Sequence, residues 1–175
     1  MLVLRPLTDA DVDAVAAVHV RTWQVGYAGI MPDEVLNALD PAVFAESRRS
    51  RNAWPGAQTV VAEDDGTIVG FTSFGPHRRE HGGSEFVPGI GEIYAIYVTP
   101  ERWGTGVGRA LMTAARDALA AAGDAEMRLW VLTENVRARR FYERAGMVAD
   151  GAISTFTPQG STAELAEIRY AMRLD

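Results

Sequence analysis

Glu92-Ile-Tyr-Ala-Ile-Tyr-Val-Thr-Pro100, followed by Glu-Arg-Trp103-Gly-Thr-Gly-Val-Gly108-Arg-Ala-Leu-Met112, decides the fold. The β-branched and aromatic run reads as a strand, the glycines as a turn, and the following residues as a helix that begins inside the turn. That order of elements builds an anion site. Backbone N–H groups converge where the helix starts, and the helix dipole adds positive potential at the same point. Glycine at positions 104, 106 and 108 lets the main chain approach a phosphate with no Cβ in the way. Two familiar phosphate loops do not fit. A P-loop needs Lys and then Ser or Thr after its last glycine, whereas Gly108 precedes Arg109 and Ala110. A dinucleotide fingerprint needs G-x-G-x-x-G tight against its strand; here the spacing is G-x-G-x-G, with Thr99 to Trp103 intervening.

A second block lies downstream. Met127-Arg-Leu-Trp-Val-Leu132 reads as a strand, and Thr133-Glu-Asn135 opens a helix running through Phe141 and Tyr142 to Gly146-Met147. Asn135 is a good helix-start residue and Gly146 a good stop. Together the blocks resemble the GNAT superfamily of N-acetyltransferases. The first is similar to its coenzyme A loop, (Gln/Arg)-x-x-Gly-x-(Gly/Ala), with Trp103 at the Gln/Arg position and Gly106 and Gly108 as the motif glycines. The second, N-x-x-A-x-x-F-Y-x-x-x-G-M, is similar to a signature that usually ends in Gly-Phe. Trp103 departs from the first pattern by removing a polar side chain, which shifts phosphate binding toward main-chain N–H groups, with Arg102 and Arg109 flanking the turn.

Working outward, 175 residues with 47% hydrophobic and 23% charged content suit one globular domain, 1–175. No stretch approaches the apolar length of a membrane span, and the first residues lack a signal-peptide pattern, so a cytoplasmic protein is expected. A sequence without cysteine excludes disulfides, zinc–thiolate sites and a cysteinyl acyl-enzyme. A net charge of −6 with no basic stripe argues against nucleic acid and favours cationic small substrates. No His/Asp/Glu cluster has metal-ligand spacing, so no metal is expected, and Ser73 and Ser84 lack the context of a nucleophile.

Residues 2–4 read as a first strand, and Thr8 or Asp9 as the cap of a helix over 9–23 with Val12, Val15, Ala16, His19 and Trp23 on one face. Helical runs follow over 33–39 and 41–52. Residues 58–63 and 67–74, joined by Asp64-Asp-Gly66, form a hairpin. Residues 76–90 read as a long polar loop, 106–122 as the main amphipathic helix, and 153–156 and 166–174 as a terminal hairpin. The resemblance implies an α/β architecture, the GNAT or acyl-CoA N-acyltransferase fold, with a mixed, mostly antiparallel sheet and helices on both faces.

It also implies the chemistry: transfer of acetyl from acetyl-CoA directly to an amine, for which a small molecule such as a polyamine or amino-acid-like compound is the expected acceptor. A protein lysine or N-terminal acetyltransferase is the alternative, as is a non-catalytic acyl-CoA sensor. A homodimer is common in such proteins. By the same resemblance, main-chain atoms of Ile96, Tyr97 and Val98 bind pantetheine, and Arg102, Trp103, Gly104, Thr105, Gly106, Val107, Gly108, Arg109, Asn135 and Tyr142 contact the coenzyme. Tyr142 is the candidate proton donor to the leaving thiolate. A phenol at about 10 facing a thiol near 8.5 makes full transfer uphill by roughly 2 kcal/mol, so a strong hydrogen bond is the safer description. A primary amine of pKa about 10.4 is almost wholly charged at pH 7, so something must take its proton. Glu92 is the candidate base, although strict alternation puts it on the same face as Ile96 and Val98, which requires a bulge or a wet strand end. His77 and His81 are runners-up on the loop, and His19 reads as a core histidine. Trp23, Gln24 and Tyr27, at the exit of the first helix, together with His77, are expected to line the acceptor pocket.

Overall fold

The structure, a computed structural model, describes residues 1–51, 55–80 and 83–174. Strands β1 (Leu2–Pro6), β2 (Gln58–Asp64), β3 (Thr67–Arg78), β4 (Phe86–Val98), β5 (Glu126–Leu132), β6 (Val148–Phe156) and β7 (Leu165–Arg173) form one sheet in the order β1-β2-β3-β4-β5-β7-β6. Only β4 and β5 run parallel; the other neighbours are antiparallel. The parallel pair is the one joined by a crossover helix, as a parallel connection demands.

Helices cover both faces. On one side lie α1 (Val12–Gly26), α2 (Asp33–Asn37) and α3 (Pro41–Arg51); on the other lie α4 (Val107–Ala121) and α5 (Val136–Arg144). In α4, Val107, Leu111, Met112, Ala115 and Leu119 are buried at helical spacing against Phe74, Val98, Ile93 and Leu129. α1 is preceded by a single 3-10 turn, Asp9–Asp11. There Asp11 reaches back, accepting from the Thr8 N–H at 2.8 Å and the Thr8 hydroxyl at 2.7 Å. Arg5 pairs with the same carboxylate and with Glu63 on β2, so the helix start is tied to the sheet edge.

Two expectations change here. The polar stretch after the hairpin is mostly strand: β3 continues to Arg78 and β4 begins at Phe86, leaving a connection of residues 79–85. His77 and Arg78 pair with Val87 and Phe86, and β4 accommodates this with three extra residues, 88–90, opposite the Pro76/His77 step. The terminal hairpin is also longer than expected, and its second strand, β7, inserts between β5 and β6.

Two features of β4 position the site. Ser73 pairs with Ala95 and Phe74 with Ile93, so Tyr94 is an unpaired extra residue, a β-bulge. Its effect is to invert alternation. Ile93, Ile96 and Val98 all face α4, whereas Ala95 and Tyr97 face α1. Second, β4 pairs with β5 only from Ile90–Glu126 to Ile93–Leu129. Beyond that both strands continue, to Val98 and Leu132, without pairing, and a wedge opens between them. Among the described residues no helix is long and apolar enough to cross a membrane.

Candidate active site

The wedge opens into a cavity of about 1230 Å³ that runs through the sheet from the α4/α5 side to the α1/α2/α3 side. Its α4 mouth is the glycine turn. Gly104 and Gly106 hold φ of 75° and 95°, where a Cβ is strained, and Gly106 is the N-cap of α4. Among the described residues, no atom other than those of Gly106 and its two chain neighbours lies within 4 Å of the point where a Cβ of Gly106 would be. The first turn of α4 therefore presents its unpaired N–H groups to an uncluttered surface, the arrangement that suits a phosphate. Val107 itself is buried core, and Gly108 sits in the first turn with Phe141 behind it.

The flanking side chains divide. Arg102 ion-pairs with Asp64 at the β2 terminus, and Thr105 donates to the Arg102 carbonyl at 2.7 Å. Both shape the turn. Arg109 is exposed on the first turn of α4 and forms no ion pair among the described residues. The Trp103 indole N–H donates to the Val98 carbonyl at 2.7 Å, and Thr22 donates to the same oxygen at 3.1 Å. Trp103 thus fixes the end of β4. Its ring also carries the Arg137 guanidinium, 3.1 Å from the centroid. Gly26 leaves room for that group: a Cβ there would lie 3.0 Å from Arg137 Nη2. Sequence reasoning passed over Arg137, which restores a cation beside the position where Trp103 displaced one. Its signal was a basic residue in the first turn of the second motif helix.

Deeper in, Tyr142 is 8% exposed, packed 5.4 Å from Phe141 and 6.2 Å from Tyr170 between ring centroids. Burial pushes its pKa well above the usual phenol value, so it stays protonated. Its ring lines the cavity, and the hydroxyl makes no hydrogen bond among the described residues. Asn135 caps α5 by accepting from the Ala138 N–H at 3.1 Å, so its oxygen is committed to the helix start.

Of the two alternatives for Glu92, a bulge or a wet strand end, the structure has the bulge: it sends Glu92 to the face opposite Ile96 and Val98, where it is 1% exposed and contributes to the cavity lining. It accepts from His77 Nδ1 at 3.1 Å and the Arg78 N–H at 2.9 Å, and it ion-pairs with the Arg78 guanidinium. Burial alone would raise its pKa, but the hydrogen bonds from His77 and Arg78 and the Arg78 charge outweigh it and leave the carboxyl below its ordinary value. A carboxylate held this firmly in its charged form is a poor proton acceptor. His77, 2% exposed, is no loop residue either: Arg128 Nη1 lies 3.3 Å from its Nε2. Guanidinium can only donate, so Nε2 accepts and Nδ1 carries the proton toward Glu92. Both His77 nitrogens are engaged within the fold, and His77 does not line the cavity. His81 lies outside the described residues.

On the α1 face the cavity is walled by rings. Trp23 contacts Tyr27 at 5.2 Å, Phe44 at 5.7 Å, Phe156 at 6.0 Å and Tyr97 at 6.3 Å. His19, expected in the core, instead lines this wall and stacks on Tyr97 at 4.6 Å. Gln24 points away; its amide donates to the Leu36 carbonyl at 3.3 Å and ties α1 to α2. One further residue was missed. Glu167, on β7 opposite Leu132, reaches the same cavity and is 7% exposed. The signal was Leu165, two residues earlier on the same strand face, which packs in the cluster around Leu132, Trp23 and Tyr27.

Comparisons agree with this geometry. A profile of the acetyltransferase (GNAT) family matches residues 25–147. An uncharacterised N-acetyltransferase of Bacillus subtilis, YuaI, is 36% identical over 136 residues, covering 77% of this chain and 74% of that protein. A mycothiol acetyltransferase of Thermobispora bispora is 33% identical over 142 residues, which cover 74% of this chain but only 46% of that longer protein. In fold, the PaiA N-acetyltransferase of Thermoplasma acidophilum, solved in complex with coenzyme A, superimposes with a TM-score of 0.75 at 20% identity, over 99% of both chains. With a glycine turn at the N-terminus of α4, a splayed β4 and a family match over most of its length, this chain belongs to the GNAT family of acetyltransferases.

Proposed function

We propose that the protein moves acetyl from acetyl-CoA directly onto a small-molecule amine, with both substrates bound at once and no covalent intermediate. The through-going wedge between β4 and β5 carries this reading. The coenzyme enters from the glycine turn, with Gly104, Gly106 and the α4 N–H groups on its phosphates and Arg109 and Arg137 adding charge. Pantetheine lies along Ile96, Tyr97 and Val98 on the edge that β5 does not pair, where the Val98 carbonyl is already taken by Trp103 and Thr22, and the thioester reaches the Tyr142 hydroxyl. The amine approaches from the opposite face, between α1, α2 and α3. Attack on the carbonyl expels the thiolate, and the Tyr142 hydroxyl donates a hydrogen bond to it. Because burial raises the phenol pKa, full proton transfer is more uphill than for a free phenol, and stabilisation of the developing charge is the contribution. The amine proton leaves to water in the open cavity, Glu92 being fixed by Arg78 and His77.

A recess roofed by helices, lined by Trp23, Tyr27, Met31 and Phe44, suits a small acceptor better than a polypeptide segment. Relatives named for acetylating mycothiol, not a protein, lean the same way. The test is thiol release from acetyl-CoA with a panel of small amines set against lysyl and N-terminal peptides. Higher kcat/KM for a small amine is expected. Faster turnover of the peptides would overturn the reading.

A further inference from the structure

Tyr142 shares a turn of α5 with Glu143, and that turn is clasped from β7. The clasp is Tyr170, 1% exposed. Its hydroxyl donates to Glu143 Oε1 at 2.7 Å and accepts from Arg139 Nε at 3.3 Å. Arg139 and Glu143 lie about one helical turn apart, so a single phenol bridges the two ends of the turn that carries Tyr142. Arg139 is fixed in its own right, donating through Nη1 to the Thr133 carbonyl at 3.0 Å, and the Thr133 N–H donates to the Ala166 carbonyl of β7 at 2.8 Å. β7 thus holds both the entry to α5 and its middle. The Tyr170 ring meets the Tyr142 ring at 6.2 Å, with the planes 49° apart. Apolar packing through Ala138, Phe141, Tyr142 and Ala145 keeps α5 on the core. Such contacts are not directional, and a helix this short has little stiffness of its own. Hydrogen bonds are directional, and these two fix the helix against sliding and rotation. Glu143 is exposed, so the bond to it replaces one to water and adds little to stability. Its value is geometric.

We infer that Tyr170 is a positioning residue for the reaction: through Arg139 and Glu143 it sets the height and rotation of α5, and so aims the Tyr142 hydroxyl at the sulfur of the coenzyme. This rests on reading Tyr142 as the donor to the leaving thiolate. Aim matters there because a hydrogen bond weakens steeply as it bends, and a misplacement of about 1 Å can cost on the order of a hundredfold in rate. The placing of β7 acquires a purpose as well. Lying inside the sheet beside β5, it can reach α5 from beneath while β5 supplies the turn from which α5 starts.

Binding of the leaving group tests this with no acceptor present. Coenzyme A and desulfo-coenzyme A, which lacks only the sulfur, are titrated calorimetrically into the full chain at about pH 9.5, above a thiol pKa near 8.5, so that the sulfur is a thiolate. Burial keeps Tyr142 protonated under these conditions. Wild type should bind coenzyme A about ten- to a hundredfold more tightly than the desulfo compound, the range for a hydrogen bond to a charged group. Tyr142→Phe should abolish that preference. Tyr170→Phe should lose at least about threefold of it, while desulfo-coenzyme A binding stays within about twofold of wild type. A tyrosine that only stabilised the fold would lower Tm and leave the preference, or weaken both ligands alike. Should Tyr170→Phe fail to fold, Glu143→Ala opens the clasp from its exposed side, with the same loss expected. A preference that Tyr142→Phe removes and a folded Tyr170→Phe or Glu143→Ala protein keeps overturns the inference alone. A preference that survives Tyr142→Phe, or a wild type without one, overturns the donor role of Tyr142 and the inference with it. Loss of the preference in both variants of a protein that releases no thiol with any small amine would leave the inference standing and overturn the choice of acceptor instead.

Discussion

Tyr142 and Glu92 were the two residues on which the sequence placed chemistry, and their surroundings separate them. Tyr142 lines the cavity, with burial holding its hydroxyl protonated. Replacing it by Phe preserves the packing against Phe141 and Tyr170 and removes only the donor. The expected result is a kcat lower by roughly ten- to a thousandfold, with coenzyme affinity nearly unchanged, in steady-state assays where chemistry limits the rate. Equal turnover would leave Tyr142 as packing. Glu92 should behave in another way. Its pKa is depressed in the folded state, so its stabilising contribution is present above the ordinary Glu value of about 4.3 and disappears as pH falls through the folded value. Glu92→Gln leaves Arg78 and the His77–Arg128 contact without their anion, and should cost about 3–5 kcal/mol at neutral pH. Denaturant melts should also show a flatter acid-side fall in stability for the variant than for wild type. In whatever fraction folds, kcat/KM should rise with pH from 7 toward the acceptor pKa, as in wild type. Loss of an acidic limb specific to the variant would restore Glu92 as the base.

At the scale of elements, the turn before α4 makes the sharpest test. Gly106 has φ of 95°, and the site of its Cβ is open. Gly106→Val therefore places its Cβ in open space, but strains the backbone by about 1–2 kcal/mol and brings methyl groups where a phosphate must come close. Calorimetry should find coenzyme A binding weakened by at least about tenfold in a variant that still melts cooperatively. Undiminished affinity would move the phosphates elsewhere. This strand–turn–helix unit was legible because its signals are local: glycine spacing, β-branched residues, an amphipathic period. The α5 cap at Asn135 and the 58–74 hairpin were legible for the same reason. What failed was set by partners far away in sequence. A carboxylate in the apolar stripe of Glu92-Ile-Tyr-Ala-Ile called for a bulge or a wet strand end, but the choice between them and the place of the bulge at Tyr94 exist only as a register slip against Ser73 and Phe74. Pro76-His-Arg-Arg reads as a loop because its polar side chains are paid for by Glu92 and Arg128, from two other strands. Glu167 was not singled out, since nothing local shows that β7 lies inside the sheet.

Across the whole molecule, the two halves of the sheet are joined by little. β1 to β4 form one half, β5, β7 and β6 the other, and their shared ladder runs only from Ile90–Glu126 to Ile93–Leu129. Beyond it the contact is made by side chains: Ile93 and Phe74 with Leu129 and Tyr142 on the α4 side, and Met31 and Leu36 with Leu132 on the α1 side. A coenzyme lying along Ile96 to Val98 would take up the backbone hydrogen-bonding groups that β5 leaves unpaired, so that ligand and sheet become one layer. Two consequences follow. At a hundred times its dissociation constant, coenzyme A should stabilise the fold by about 2.7 kcal/mol. For a domain of this size that corresponds to a rise in Tm of roughly 5–11 °C. The protection should also be local, with amide hydrogen exchange slowing most at residues 94–98 and 129–132, on the two sides of the wedge, and least at the outer edges β1 and β6. A Tm that rises while exchange at 94–98 stays as fast as in the free protein would mean that the coenzyme is held by the glycine turn alone, and that the gap between β4 and β5 serves another ligand.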